Sequence, residues 1–182
     1  MFKIQKEEYE SLVEDIKNNE KFLKLTDDVH HGTSKYEHCN RVGYKAYKIA
    51  KNYNLDYEKT ARAGILHDFF YGQRTDKIEN SYTNHPFTSA KNAKEVFNIS
   101  KKEESIIQTH MFPEVILNNI NPFAKEYEKK KIKDSIPESK EAWVVCLADF
   151  IVSIEELGRF KISFTLSCLM LFILNILTIN KW

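Results

Sequence analysis

Six residues of this chain carry side chains suited to holding a metal cation: His38, His67, Asp68, His85, His110 and Asp149. His67 and Asp68 end the run Ala61-Arg62-Ala63-Gly64-Ile65-Leu66. An imidazole and a carboxylate side by side at the end of a buried helix are costly to desolvate, and a bound metal ion is the usual compensation. Asp149 sits in an apolar stripe with Ala142, Val145, Cys146 and Val152, and no nearby Arg or Lys neutralises it. Four imidazoles and two carboxylates suffice for two ions. Nitrogen and oxygen donors without sulfur favour Fe, Mn, Zn, Co, Ni or Mg over copper(I) or an iron-sulfur cluster.

The elements that must position these groups read as helices. Ser34-Lys35-Tyr36-Glu37 has the form of a capping box, and Val42, Ala46, Ile49 and Tyr53 follow at spacings of three and four, with His38 one turn before Val42. A second helix is predicted from about Tyr57 to Phe69. Ala61, Ile65 and Phe69 form its stripe, and Gly64 permits close packing. Pro86 suits the first turn of a third helix with Phe87, Ala90, Ala93 and Phe97 on its buried face; His85 is predicted just outside, in the extended conformation that precedes a proline. Ser100-Lys101-Lys102-Glu103 opens a fourth helix, Ile106 and Ile107 lie one turn before His110, and Pro113 closes it. The stretch Asn118 to Ser139 reads as solvated loop plus a short charged helix, and a fifth helix begins near Pro137-Glu138 and runs through Asp149 to Ser153. No strand alternation stands out, so the predicted class is all-α.

Composition narrows the function. A chain of 182 residues with 42% hydrophobic and 29% charged residues suits one globular domain. With 27 basic against 26 acidic residues, nothing suggests a surface built to neutralise a nucleic-acid polymer, which leaves small molecules as the expected partners. Cys39, Cys146 and Cys168 are far apart and odd in number, against a disulfide framework or thiolate zinc site. The charged N-terminus lacks the apolar core of a signal peptide, and a cytoplasmic location is expected.

His38, then His67-Asp68 after 29 residues, then Asp149 after a further 81, resembles the His…His-Asp…Asp signature of the HD-domain metal-dependent phosphohydrolases. Tyr36-Glu37-His38-Cys39, Ala63-Gly64-Ile65-Leu66-His67-Asp68-Phe69-Phe70, His85-Pro86 and His110-Met111-Phe112-Pro113 look like a bacterial subgroup of that superfamily. The resemblance implies a compact helical bundle in which His38, His67, Asp68 and Asp149 bind a first divalent ion. His85 and His110 complete a second site, and Asp68 bridges the two. Two such cations about 3.5–4 Å apart polarise a phosphoryl oxygen and activate a water for attack on phosphorus, with His67 and Asp68 at the catalytic centre. The implied substrate is a phosphomonoester or phosphodiester, in the first instance a nucleotide. Tyr71 stands where cyclic-dinucleotide phosphodiesterases and symmetrical dinucleoside tetraphosphatases usually carry Lys, and the Gly-Tyr-Pro motif of the former is missing. Arg41, one turn from His38, and Arg74, in the loop after the His-Asp pair, are the expected partners of substrate phosphate. The competing reading is a non-catalytic metal- or nucleotide-binding signalling module of the same fold.

From Ile162 to Ile179 there are 18 residues without a charge, 13 of them apolar, between Arg159 and Lys161 on one side and Lys181-Trp182 on the other. That length is the lower limit for spanning a bilayer and equally suits a helix packed on protein. The expected organisation is therefore an HD-type domain over 1–160 and a hydrophobic C-terminal helix over 161–182, anchored in a membrane or packed on protein. The two positive charges before the segment would keep the domain on the cytoplasmic side.

Overall fold

Side-chain caps set where the principal helices begin. Ser34 Oγ accepts from the Glu37 N–H, Asp56 from the Lys59 N–H, and Ser100 from the Glu103 N–H, each satisfying an amide that the first helical turn leaves without a partner. At Ser100 the box is reciprocal, because the Glu103 carboxylate accepts from the Ser100 N–H at 2.8 Å. The computed structural model describes residues 2–30 and 33–157. In chain order the helices are α1 (Phe2–Leu12), α2 (Glu14–Lys17), α3 (Glu20–Leu23), α4 (Lys35–Asn52), α5 (Tyr57–Leu66), α6 (His85–Phe97), α7 (Lys101–Thr109), α8 (Phe112–Ile120) and α9 (Lys140–Leu157). One antiparallel pair of two-residue strands, β1 (Val29–His30) and β2 (Thr33–Ser34), leads into α4. The class is all-α.

The core lies between α4, α5, α7 and α9. Val42, Ala46, Tyr47 and Ala50 of α4 meet Ala61, Ile65 and Leu66 of α5, Ile106 and Ile107 of α7, and Val145, Ala148 and Val152 of α9, all fully buried. Each large side chain among them contributes about 1.5–3 kcal/mol of burial, enough together to carry a buried polar centre. Where α4 crosses α5 both carry glycine. A Cβ added at Gly43 would lie 2.9 Å from Ile65 Cβ, and one at Gly64 would lie 3.1 Å from Gly43 Cα, so the backbones touch. The close packing expected from Gly64 is present.

Several expectations need correction. The second helix ends at Leu66 rather than Phe69: the His67 ring nitrogen Nδ1 donates to the Gly64 carbonyl at 2.8 Å and competes for the acceptor that the Asp68 N–H would use if the helix continued. Tyr53 is 74% exposed, because the chain leaves α4 there and reverses through Asn54 in the left-handed region; Tyr47 and Ala50 fill the buried face instead. Phe87 is also exposed, with Ala90 and Ala93 carrying the buried face of α6. His85 is not in an extended approach but in the first turn of α6, since its N–H and its Nδ1 both donate to the Ser81 carbonyl, at 2.9 and 3.0 Å. Pro113 does not only close α7: it sits in the first turn of α8, which continues to Ile120 and so takes in Asn118 to Ile120, where loop is expected from the sequence. The short charged helix expected after it resolves into two single 3₁₀ turns, Glu126–Glu128 and Ile132–Asp134. Among the described residues no helix is long and apolar enough to cross a membrane. Cys168, Trp182 and the stretch 161–182 lie outside the described residues.

Candidate metal centre

α5 and α7 end the same way. Each has a histidine as its C-cap residue in the right-handed region, and each ring turns back so that Nδ1 donates to the carbonyl three residues earlier, His67 to Gly64 and His110 to Ile107, both at 2.8 Å. His85 does likewise toward Ser81. A neutral imidazole that donates from Nδ1 carries its lone pair on Nε2. Three helix ends thus present three bare Nε2 lone pairs.

These nitrogens converge. His85 Nε2 faces His110 Nε2 at 3.0 Å, lone pair against lone pair. His67 Nε2 is buried without a hydrogen-bond partner, as is Asp68 Oδ1, which lies 3.0 Å from His85 Nε2 and 3.7 Å from His110 Nε2. On the other side, Asp149 Oδ1 from α9 is 3.1 Å from His38 Nε2 and 3.6 Å from His67 Nε2. One donor atom each from His38, His67 and Asp149, and one each from His67, Asp68 and His110, lie within 4.8 Å of one another; His67 is common to both groups. Orphaned buried donors aimed at each other are what a bound cation would resolve, so the residues fit a metal centre of nitrogen and oxygen ligands.

The electrostatics divide the centre. Burial alone would lower the basicity of His38, but its bonds to Asp149 and Glu156 raise its pKa to about 10. His110, by contrast, is pushed down to about 3 by burial and by His67 and His85. Burial also lowers His85, against the pull of Asp68. Burial would raise both carboxyls, yet protons on His67 and His85 and the Arg74 guanidinium pull Asp68 well below the usual carboxylate range, and protons on His38 and His67 do the same for Asp149, so each carboxylate gives up its negative charge only with difficulty whether a proton or another cation balances it. The centre keeps its two carboxylates ionised.

Arg74 lies directly on Asp68, Nη2 to Oδ2 at 3.1 Å, with the Tyr82 ring 5.1 Å from its guanidinium carbon. Arg41 does not face the cluster: it donates to Glu155 at 2.9 Å and Glu156 at 3.0 Å, and Glu156 in turn takes His38 Nδ1 at 2.8 Å. Glu156 was missed in the sequence. Its signal is position, since it lies seven residues after Asp149 and therefore on the same face of α9. Cys39, which follows His38, is fully buried and its thiol is pushed well up by burial, as suits a packed residue.

An all-α bundle that gathers four histidines and two aspartates around one buried centre, from helix termini and from the middle of α9, defines a class, the His-Asp helical proteins. Within that class this chain belongs to the HD-domain family of the metal-dependent phosphohydrolase superfamily: the family model, the HD domain, matches residues 36–151, more than half of the chain. No curated protein and no solved structure matches it.

Proposed function

We propose that this protein hydrolyses a phosphomonoester or phosphodiester, in the first instance a nucleotide, at a centre of one or two divalent cations held by His38, His67, Asp68, His85, His110 and Asp149. The observation that carries the reading is the convergence of three imidazole Nε2 atoms without proton donors on two ionised carboxylates in a buried space. When bound, such cations polarise a phosphoryl oxygen and bring the pKa of a coordinated water toward about 7. The chain's residues do the rest. The Gly64, Ser81 and Ile107 carbonyls fix the imidazole tautomers, and Glu156 orients His38. Arg74, 3.1 Å from Asp68, is the cation placed to take a phosphate oxygen of the substrate, while the pairing of Arg41 with Glu155 and Glu156 supports a role in holding His38 in line. In this reading residues 1–160 form the hydrolytic unit and 161–182 a separate apolar segment. Detergent dependence of the full chain, lost on truncation after Lys161, would mark that segment as a membrane anchor.

Metal analysis of anaerobically purified protein, followed by assay on a panel of phosphate esters with each metal added back, tests the proposal. The expected result is metal-dependent release of phosphate or nucleoside phosphate, abolished in Asp68→Ala. One observation favours the second reading, a non-catalytic metal- or nucleotide-binding signalling module: none of the six residues is more than 9% exposed. Metal-loaded protein that hydrolyses nothing on the panel would establish that reading, and protein that takes up no metal would overturn both.

A further inference from the structure

The chain that follows His67-Asp68 is irregular, yet four successive carbonyls in it are taken by side chains from other elements. Asn92 of α6 donates to the Phe69 carbonyl at 2.9 Å, Lys35 of α4 to Phe70 at 2.8 Å, Asn80 to Tyr71 at 2.8 Å, and Lys35 again to Gly72 at 2.9 Å. The third donor of the Lys35 ammonium goes to Asp28 Oδ2 at 3.3 Å, and that same oxygen accepts from the Gly72 N–H at 3.0 Å. Gly72 has a φ of +81°, and a Cβ there would lie 2.9 Å from Asp76 Oδ2, so the turn that delivers its amide to Asp28 suits glycine. The ammonium also lies 3.6 Å from the centroid of the Phe70 ring, and that ring lies 5.1 Å from the His85 ring.

A lysine 2% exposed is unusual, and burying its charge costs several kcal/mol unless every donor is matched. Here three donors meet three acceptors. No donor is left for a substrate phosphate, and the ammonium is not a metal ligand. Its partners are the backbone of the segment that joins Asp68 to Arg74 and the carboxylate that pins that segment to the chain before α4. We infer that Lys35 is a positioning residue: it fixes the segment 69–72 as a rigid strap and thereby sets Asp68 and Arg74 against His85, a role that rests on the metal-centre reading above. Lys35 precedes the region matched to the family by one residue.

The test uses the full chain, Lys35→Met, which keeps length and loses the donors, and Lys35→Arg, which restores a cation able to donate to two carbonyls. Cobalt(II) affinity is measured by chelator competition, and hydrogen exchange is followed over 67–74 with α7 and α9 as internal reference. The expected result is a loss of cobalt affinity of about 10- to 100-fold in Lys35→Met, exchange over 67–74 faster by about tenfold or more against an unchanged reference, and recovery of most of both in Lys35→Arg. Unchanged affinity overturns the inference whether or not exchange accelerates, because the strap would then be structural alone. Wild-type protein that binds no cobalt overturns the metal-centre reading instead, and unchanged exchange in Lys35→Met then overturns the strap as well. Should Lys35→Met fail to fold, Asp28→Asn, which weakens the carboxylate shared by the Lys35 ammonium and the Gly72 N–H, is judged by the same two readouts.

Discussion

The two sides of the centre handle buried charge in opposite ways. Around His38 every group has an answer: the ring lies between Asp149 and Glu156, and Glu156 is itself held by Arg41. Around His85 and His110 the groups oppose each other, with two lone-pair nitrogens 3.0 Å apart and an Asp68 oxygen that has no hydrogen-bond donor. A proton on His38 can stand where a cation would sit, so the first side is balanced without metal. The second side is not, and a cation would stabilise it most.

This contrast can be broken by experiment. The largest effect is expected for Asp68→Ala, which removes the anion of the second side and strands Arg74; phosphate-ester hydrolysis should fall at least about 1000-fold, several kcal/mol of transition-state stabilisation. Next is His38→Ala in the metal-free protein. It leaves Asp149 and Glu156 buried without their shared partner and should cost about 3–5 kcal/mol in denaturant unfolding. His110→Leu should cost the metal-free protein no more than about 1 kcal/mol, since the lost bond to the Ile107 carbonyl is offset by relief of the Nε2 contact. It should nevertheless reduce the metal bound per chain. If His110→Leu destabilises as much as His38→Ala, the two sides do not differ as described.

The smallest effect lies outside both sides and calibrates them. Asp56 caps α5 and pairs with Lys102, which also binds Glu141; burial would raise the Asp56 carboxyl, but the Lys59 amide and Lys102 hold it low. A carboxyl held below its unfolded value contributes stability above the ordinary Asp range and loses it as pH falls through the folded value. Asp56→Asn should therefore lower stability at pH 7 by less than about 1 kcal/mol and flatten its decline below about pH 4. An unchanged acid dependence in thermal melts would remove Asp56 from that account.

What was legible in the sequence followed from local rules. Ser34 and Ser100 marked helix starts because capping is a matter of three residues, and the six candidate ligands stood out as polar groups on apolar stripes. Helix ends were harder. Pro113 could close α7 or open α8, and proline suits both places. His67 ends α5 through its own ring, which no propensity records. Glu156 and Lys35 were hidden for a different reason: each looks like an ordinary charged residue of a helix terminus until tertiary structure brings its partner, 118 residues away for Glu156 and 35 to 37 for Lys35.

The crossing of Gly43 and Gly64 has one more implication. His38 lies five residues before Gly43 and His67 three after Gly64. Two backbones already in contact cannot come closer, and any side chain at either glycine drives them apart. The separation of the two imidazoles is thus at its lower limit, and selection has a dial for it that involves no ligand. Alanine at position 64, whose Cβ would lie 3.1 Å from Gly43 Cα and 3.2 Å from Ala46 Cβ, calls for a shift of only a few tenths of an ångström, which makes that helix pair a fine adjustment of the spacing between His38 and His67.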